Sequence, residues 1–322
     1  MKRYEKSRKK WKWIPAGLLL TFSLALGYGG TAHAQTGSGT AADPYVISSA
    51  QDLNNVRNNL SAYYVLDLDI DAEAIGSFEP IGNAADGAFT GSFDGQGHTI
   101  RNLTVECPDD KYVGLFGYSE GTLTNIKLAN MEISGSRYTG GIVGYQDGNM
   151  TNCSIQGKVT ATDGIISMYA GGVAGYVKGD VSGCLADVQV TATRGSNTNS
   201  LHAGGVAGYV TGDVSSCTAT GQMITFRVSC AGGICGRVLG NVKDSKTVKF
   251  SYNDTYKYGG YSNNWYSGGI SGGCNGNFIN NWAENITGFY SALVNNFYGD
   301  KFELHNGTVD TGLVLCDYAN GS

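Results

Sequence analysis

Carboxylate side chains are the first groups in this sequence that could do chemistry. Asp67, Asp69 and Asp71 alternate with apolar residues from Val65 onward, and Asp254 stands three residues before Lys257. A glycoside hydrolase needs two carboxylates across the sugar bond, and a polysaccharide lyase needs a base and often a calcium ion, so these residues are the enzymatic candidates. The simpler interpretation of the aspartate triplet is the solvated outer face of one strand. Its alternate residues would lie ~6.6–7 Å apart, which is too wide for one ion, so no metal is assigned.

Aromatic side chains form the second candidate site, in the segment that follows Gly240. Their rings alternate with polar residues such as Asn253, Asn263 and Asn264. Flat rings beside amides suit either a glycan or a protein surface. The alternative is a long loop and a capping segment that use the rings to cover the C-terminal end of the fold. The binding candidates are Tyr252, Tyr256, Tyr258, Tyr261, Trp265 and Tyr266.

Cysteine and histidine have no spacing that is typical of a metal or protease site. The eight cysteines include no C-x-x-C pair, and none of the four histidines stands in an H-E-x-x-H motif. The residues after Ala34 hold 15 Lys and Arg against 26 Asp and Glu, a net charge of −11. An acidic chain lacks the basic footprint of a nucleic-acid-binding protein. We therefore expect no cofactor and no nucleic-acid partner.

A recurring eight-residue phrase organises the chain that carries these groups. The last glycines of successive copies are 27, 31, 33, 28 and 36 residues apart. A period of this length without helical segments indicates one coil of a β-solenoid per copy, and hence an all-β fold. The clear copies are Tyr138–Tyr145, Tyr169–Tyr176 and His202–Tyr209, and the weaker ones are Lys111–Tyr118, Cys230–Arg237 and Tyr266–Gly273.

Alignment of the copies predicts which side chains fill the interior. One column is always aliphatic and another is small, so both are expected to face inward and to stack coil on coil at ~4.8 Å. The second column contains cysteines, which are expected to be buried free thiols, although a stacked pair could oxidise after export. The core ladders are Ile142, Val173, Val206 and Ile234, and Cys153, Cys184 and Cys217.

The N-terminal residues have the pattern of a secretory signal peptide. A basic stretch, residues 1–13, precedes an apolar run from Ile14 to about Leu26, and Ala32-His33-Ala34 follows. The run is shorter than the ~20 residues of a spanning helix, so residues 1–34 are predicted to be removed, leaving no membrane span. The mature chain is therefore expected to be secreted, or held at the cell surface.

The remaining segments divide into four regions. Residues 35–63 are expected to form a strand and a capping helix at about 49–60, because Ser49 begins a capping-box-like start and Leu53, Val56 and Leu60 make one apolar stripe. The expected further boundaries are 64–110 for the first coils, 111–290 for the repeats and 291–322 for a C-terminal cap.

The repeats resemble GLUG repeats. The resemblance rests on GGIVGYQDGNMTNCSIQG, GGVAGYVKGDVSGCLADV and GGVAGYVTGDVSSCTATG, and on a lead-in from ADPYVISSAQDLNNV to VGLFGY. It covers about residues 40–290 and implies a right-handed parallel β-helix of an exported bacterial protein, similar to modules of IgA-specific metallo-endopeptidases and of some adhesins. It implies no catalytic residues, because the family is defined by a structural repeat.

Three functions follow as hypotheses. The first is a secreted or surface-associated binding or adhesion module whose partner is a glycan or a host or cell-surface protein. The second is a polysaccharide lyase or glycoside hydrolase, which rests on analogy with other β-helices. The third is a non-catalytic spacer. Because the sequence contains no catalytic constellation, we expect a protein that is not an enzyme.

Overall fold

The computed structural model describes residues 36–162, 167–195, 200–255, 266–289, 291–297, 302–304 and 314–318. These residues form an all-β parallel solenoid of about six turns, with one short α-helix near the N-terminus. The predicted β-helix with its capping helix is therefore confirmed. The predicted signal peptide, residues 1–34, lies outside the described residues.

The α-helix begins where its capping box predicts. Helix α1 runs Ala50–Asn55, and a 3₁₀ turn at Val56–Asn58 continues it. The Ser49 hydroxyl accepts a hydrogen bond from the Asp52 amide at 3.1 Å, and the Asp52 carboxylate accepts one from the Ser48 amide at 3.2 Å. Leu53 and Val56 are fully buried in the core. Of the predicted apolar stripe, Leu53 lies on α1 and Val56 on the 3₁₀ turn, whereas Leu60 lies beyond both, so the helical segment is shorter than the expected 49–60.

The strands are short and repeat in the same order. The opening strands are β1 (Tyr45–Ile47), β2 (Tyr63–Leu66), β3 (Ile70–Asp71), β4 (Ser92–Asp94), β5 (Thr99–Arg101) and β6 (Thr104–Glu106). The first three coils contain β7 (Tyr112–Val113), β8 (Phe116–Ser119), β9 (Thr122–Thr124), β10 (Lys127–Gly135), β11 (Tyr138–Gly140), β12 (Val143–Gln146), β13 (Met150–Thr151), β14 (Ser154–Thr162), β15 (Ser167–Gly171), β16 (Ala174–Val177), β17 (Val181–Ser182) and β18 (Leu185–Thr193).

The later coils contain the same four-strand series until the last one. They comprise β19 (Ser200–Gly204), β20 (Ala207–Val210), β21 (Val214–Ser215), β22 (Thr218–Phe226), β23 (Cys230–Gly232), β24 (Cys235–Val238), β25 (Val242–Lys243), β26 (Lys246–Asp254), β27 (Tyr266–Gly268), β28 (Ser271–Cys274), β29 (Phe278–Glu284), β30 (Ser291–Phe297), β31 (Phe302–Leu304) and β32 (Val314–Tyr318). A second 3₁₀ turn lies at Glu73–Ile75.

Each coil pairs in parallel and in register with the next. The first two strands of a coil join a 14-stranded sheet, and the last two join an 18-stranded sheet. Equivalent residues of successive copies are direct partners, as in Tyr138 with Tyr169 and Tyr145 with Tyr176. The sequence alignment of the phrase is therefore also the alignment of the strands, except at the start of the first copy, where Tyr112 and not Lys111 pairs with Tyr138. Parallel pairing continues past residue 290, because β30 pairs with β27 and β28, and β31 pairs with β29.

A left-handed residue turns the chain between the third and fourth strands of a coil. From the first coil to the sixth, this position has φ between 51° and 64°. Asparagine and glycine adopt this conformation most easily, and they fill four of the six positions. The residues are Asn125, Asn152, Gly183, Ser216, Asp244 and Asn280.

The aligned columns face the interior. Ile142, Val173, Val206 and Ile234 have no exposed surface. Cys153, Cys184 and Cys217 are also fully buried, and the seven cysteines whose side chains are described are free thiols. The Cys217 sulfur lies 3.7 Å from the carbonyl oxygen of Val181 in the preceding coil. Each column thus fills the interior while it bridges neighbouring coils.

The aspartate triplet does not lie on one strand, although the alternation from Val65 predicted that it would. Strand β2 ends at Leu66 and β3 begins at Ile70, with a bend between them. The chain changes partners here, because β2 pairs with β1 and β4 and β3 pairs with β5. Asp69 lies in this break, where its carboxylate accepts hydrogen bonds from the Thr99 amide at 2.8 Å and from Arg101 at 2.6 Å.

Candidate functional site

The carboxylate candidates are engaged in local structure. The hydrogen bond from the Thr99 amide, together with Arg101, lowers the pKa of Asp69. Hydrogen bonds from the Asn102 side chain and the Glu73 amide lower the pKa of Asp71. No group of three or more potential metal ligands occurs among the residues that the structure describes. Asp67 is exposed, and Asp254 ends β26, while Lys257 lies outside the described residues.

The aromatic candidates after Gly240 are only partly visible. Tyr256, Tyr258, Tyr261 and Trp265 lie outside the described residues. Tyr252 corrects the prediction: it is only 8% exposed, its ring stacks on Phe289 at 5.1 Å, and its hydroxyl lies 3.3 Å from the Thr225 hydroxyl. Its position on the inward face of β26 explains this burial. Tyr266 is partly exposed and pairs with Cys230.

A different set of rings lines the outside of the 14-stranded sheet. The first residue of each clear copy of the phrase belongs to a column in which neighbouring rings stack. Tyr138 and Tyr169 are 5.1 Å apart with their planes 8° from parallel, and Tyr169 and His202 are 5.5 Å apart at 9°. Tyr112 continues the column, 5.2 Å from Tyr138.

The last residue of each phrase forms a second column beside the first. Tyr145 and Tyr176 stack at 4.9 Å, and Tyr176 and Tyr209 stack at 5.2 Å. Rings of the two columns meet edge to face, as Tyr169 and Tyr176 do at 5.3 Å and 89°. We call the two columns together the tyrosine strip, which comprises Tyr112, Tyr138, Tyr169, His202, Tyr118, Tyr145, Tyr176 and Tyr209.

Glycine brings the two columns together. A Cβ atom placed on Gly175 would lie 2.6 Å from the Gly144 oxygen, 2.7 Å from the Thr139 nitrogen and 2.9 Å from the Tyr169 oxygen. The two strands of a coil therefore approach backbone to backbone at this point, which only glycine permits. This close approach brings the rings of Tyr169 and Tyr176, on the two strands, within contact distance.

The surroundings of the strip raise the pKa of several of its tyrosine hydroxyls. Burial and the neighbouring tyrosines raise the pKa of Tyr176 to about 12, and burial also raises the pKa of Tyr138, Tyr145 and Tyr209. A neutral phenol can both donate and accept a hydrogen bond. Because stacking covers the ring faces, the strip offers edges and hydroxyls to a partner, repeated at the coil spacing.

Basic side chains lie at one end of the strip. The Lys111 ammonium is 4.5 Å from the centroid of the Tyr112 ring, and the Arg137 guanidinium is 4.9 Å from that of Tyr138. Such cation–π contacts stabilise a cation over a ring face by about 0.5–1 kcal/mol at exposed sites. Lys111 therefore covers the ring face of Tyr112, with which the strip begins.

The buried cysteine column has a chemistry of its own. Hydrogen bonding to the Cys184 sulfur, together with burial, raises the pKa of the Cys153 and Cys217 thiols, and the same bonds lower the pKa of Cys184. Burial raises the pKa of the Cys230 thiol to about 12. The three sulfurs of the column have no exposed surface, so a dissolved reagent cannot reach them. We therefore interpret these cysteines as packing residues.

Replacement of Tyr176 tests whether the rings stabilise the fold. We expect Tyr176→Ala to lower the free energy of unfolding by about 2 kcal/mol, because it removes two stacked and two edge-to-face contacts. Tyr176→Phe keeps the ring and should cost less than about 0.5 kcal/mol. Urea unfolding followed by circular dichroism measures both. Equal losses in the two variants would mean that the hydroxyl, and not the stack, stabilises this face.

A family model connects this geometry to known sequences. The model described as the GLUG motif matches residues 135–160 and 199–225. The chain carries the GLUG motif. The two matched GLUG segments contain the phrases that begin at Tyr138 and His202, and the phrase between them, Tyr169–Tyr176, pairs with both in register. The tyrosine strip is therefore built largely from the first and last residues of the GLUG phrase.

Two relatives share sequence with part of the chain. Halomucin from Haloquadratum walsbyi is 39% identical over 142 residues, which is 40% of this chain and 2% of halomucin. A Gly-rich membrane protein of Evansella cellulosilytica, provisionally named, is 33% identical over 132 residues, 37% of this chain and 15% of that protein. The chain thus corresponds to a small part of each relative, and both relatives fit the class of surface or membrane-associated repeat proteins.

Two solved structures share the solenoid that carries the GLUG phrases. A provisionally named immunoglobulin A1 protease from Bacteroides ovatus has a TM-score of 0.56 at 19% identity, covering 88% of this chain and 86% of that one. A second structure, an IgA1 protease, has a TM-score of 0.56 at 15% identity, covering 84% of this chain and 21% of that one. At these identities the likeness establishes the fold and not the activity.

The tyrosine strip was missed at the level of sequence, although its signal was present. Each clear GLUG phrase begins with tyrosine or histidine and ends with tyrosine. The glycines inside the phrase indicate sharp turns and close packing of the backbone, and the rings on either side of them mark only where the phrase begins and ends. Because the strands are parallel and in register, rings at the same position of successive coils stack on one another.

Proposed function

We propose that this chain is a non-catalytic binding module of a secreted or surface-associated protein, and that the tyrosine strip is its contact face. The observation that carries the proposal is the double column of partly buried rings, whose hydroxyl edges repeat from coil to coil on one side of the solenoid. Tyrosine is enriched at interfaces because it combines a large apolar body with a polar tip. The partner is a glycan or a protein of a cell surface.

An enzymatic role has less support. The carboxylates that could serve a hydrolase, Asp69 and Asp71, hold local hydrogen bonds. The sequence has no H-E-x-x-H motif, and the two protease structures support the fold only. Among the residues that the structure describes, no helix is long and apolar enough to cross a bilayer.

One observation favours a second candidate, a structural spacer. The ring faces of the strip are covered by one another, as in the Tyr145–Tyr176 stack at 4.9 Å. A surface whose rings already contact one another can stabilise the fold without binding a partner. The spacer and the binding module differ in what the hydroxyls do, and this difference can be measured.

Removal of three hydroxyls tests the binding module. The triple variant Tyr145→Phe, Tyr176→Phe, Tyr209→Phe keeps every ring, while each lost hydrogen bond to a partner should cost about 0.5–1.5 kcal/mol. We expect the affinity for targets found on glycan and cell-surface protein arrays to fall at least ~10-fold. The control is Tyr63→Phe, because Tyr63 is 42% exposed on β2, away from the strip. A wild-type chain that binds no target, or a triple variant that binds equally well, would favour the spacer.

A further inference from the structure

A polar groove runs along the solenoid on the face that follows the tyrosine strip in each coil. It has a volume of about 460 Å³ and is formed by the third strands of the coils, β13, β17, β21 and β25, and by the start of β29. Alternate residues of these strands, such as Met150 and Val181, point into the core. The outward residues form two columns: Asn149, Asp180, Asp213, Asn241 and Asn277, and Thr151, Ser182, Ser215, Lys243 and Ile279.

The first column is a ladder of side chains bonded to backbone. The Oδ1 atom of Asn149 accepts a hydrogen bond from the Asp180 amide, and Asp180 Oδ1 accepts one from the Asp213 amide, both at 2.8 Å. The Asn241 and Asn277 amides continue the same pattern at 2.8 Å. The ladder fixes these side chains in place, and the Asn241 side-chain nitrogen also donates to Asp213.

Several groups in the groove have hydrogen-bonding capacity to spare. Among the described residues, Asp180 Oδ2 and the hydroxyls of Thr151, Ser182 and Ser215 make no hydrogen bond. Hydroxyls both donate and accept. The three hydroxyls recur at the coil spacing of ~4.8 Å and so extend over about 10 Å. Lys243 and Ile279 hold the same position in the next two coils. A partner that fits must therefore be extended and must carry hydroxyl or similar groups at regular intervals.

The charges in the groove decide between ligand classes. Both carboxylate oxygens of Asp213 already accept hydrogen bonds from the Asn241 side chain at 3.1 Å. Lys243 lies 3.6 Å from the Asp244 carboxylate. The groove therefore has two carboxylates, on Asp180 and Asp213, against one ammonium, on Lys243. A polyanion would be repelled by this net negative charge. A polycation would find only Asp180 Oδ2 as a carboxylate oxygen that makes no hydrogen bond with a described residue.

We infer that this groove binds a neutral, linear oligosaccharide chain. Its amides, hydroxyls and single carboxylate oxygen match sugar hydroxyls, which also donate and accept. Ile279 at the last coil provides an apolar contact for one sugar ring. The site shares no residue with the tyrosine strip, so its existence does not depend on the function proposed for that face.

The test is calorimetric titration of the purified chain with hexasaccharides. The neutral probes are linear hexamers of glucose, xylose and mannose, and the charged probes are hexamers of glucosamine and of galacturonate. We expect at least one neutral hexamer to bind with a Kd that changes less than about 2-fold between 50 and 500 mM salt, since no ion pair contributes. Neither charged hexamer should bind more tightly than the best neutral one.

Variants assign the binding to the groove. Ser182→Trp fills its centre and should weaken binding at least ~10-fold. Asp180→Asn keeps the ladder oxygen and should weaken it about 3-fold. The matched control is Thr191→Trp, which adds the same side chain to the outward face of β18 in the same coil and should leave the Kd within about 2-fold. Circular dichroism checks that each variant is folded, and Asp180→Asn remains informative if Ser182→Trp is not.

Several outcomes would overturn the inference. These are binding of no neutral hexamer, tighter binding of a charged hexamer, and full affinity in both groove variants. Loss of binding in Thr191→Trp equal to that in Ser182→Trp would place the sugar elsewhere. The three phenylalanine substitutions of the tyrosine strip separate the two sites. Weaker hexasaccharide binding in that variant, with full affinity in Ser182→Trp, would place the sugar on the strip and overturn the inference for the groove.

Discussion

Replacement of Gly171 by alanine is expected to lower the free energy of unfolding by about 4 kcal/mol or more. The added Cβ atom would lie 2.1 Å from the Ala174 oxygen, 2.6 Å from the Ala207 Cα and 2.8 Å from the Gly208 nitrogen. All three are backbone atoms, in the same coil and the next one, so no side chain can rotate away. Relief requires the paired strands to separate, and losses of this size are exceptional for one methyl group.

The control is Gly148→Ala in the preceding coil. At Gly148 the nearest atoms are the Gln146 side-chain nitrogen at 3.0 Å and the Gly121 oxygen at 3.4 Å. Because a side chain can move by a few tenths of an ångström, this variant should lose less than about 1 kcal/mol. Denaturant unfolding of both variants gives the comparison. Similar small losses at the two positions would show that the coils are not packed backbone to backbone at Gly171.

The second large effect is a loss of stability in acid that depends on His202. Burial, and then the charge of Arg237, lower the pKa of His202 to about 4, against an ordinary value of ~6.5. Its Nδ1 atom is buried and has no hydrogen-bond partner among the described residues. The rings of Tyr169 and Tyr209 pack against it, and Cys230 follows it in the column. None of these neighbours carries a negative charge that would favour the imidazolium.

The direction of the pH effect follows from where the proton binds. Between pH 6.5 and 4 the unfolded chain protonates this histidine and the folded chain does not, so stability is complete above pH 6.5 and declines as the pH falls to 4. At 1.36 kcal/mol for each pH unit the loss reaches about 3 kcal/mol. Below pH 4 both states are protonated and the loss does not grow further.

His202→Tyr isolates this contribution from the titration of the carboxylates. Tyrosine is the residue at the equivalent position of the three preceding coils, Tyr112, Tyr138 and Tyr169, and it does not titrate in this range. Urea unfolding gives the free energy of unfolding of each protein from pH 7 to pH 4. We expect the wild-type value to fall by about 3 kcal/mol relative to that of the variant over this range. Parallel pH dependence in the two proteins would mean that His202 takes up its proton equally in the folded state.

The repeat made the interior predictable from sequence. Val173 and Val206 could be placed in the core because each occupies the same position of a copy, and parallel in-register strands convert that position into a stacking partner. The same holds for Ser49 and Asp52, whose capping contacts are local in sequence. Periodicity and local capping are the two signals that need no knowledge of the third dimension.

The outward features were harder to predict because they depend on neighbours that the sequence does not place side by side. Asp69 was expected on a strand face, but it bonds Thr99 and Arg101 from another segment. Tyr252 was expected on a binding surface, but its side chain lies on the inward face of β26 and packs against Phe289. To predict the strip and the groove, one must know both the register of the coils and the side of each strand that faces solvent.

The Asn149–Asn277 ladder makes the groove behave as a ruler. Each coil adds one Asn or Asp, whose side-chain oxygen accepts a hydrogen bond from the next coil's amide, and advances the surface by ~4.8 Å. A gain or loss of a whole coil would therefore change the length of the groove in equal increments. In solenoids with such a ladder, the number of coils would set the length of the polymer segment that the groove can bind. The residues at each coil would set which polymer it binds.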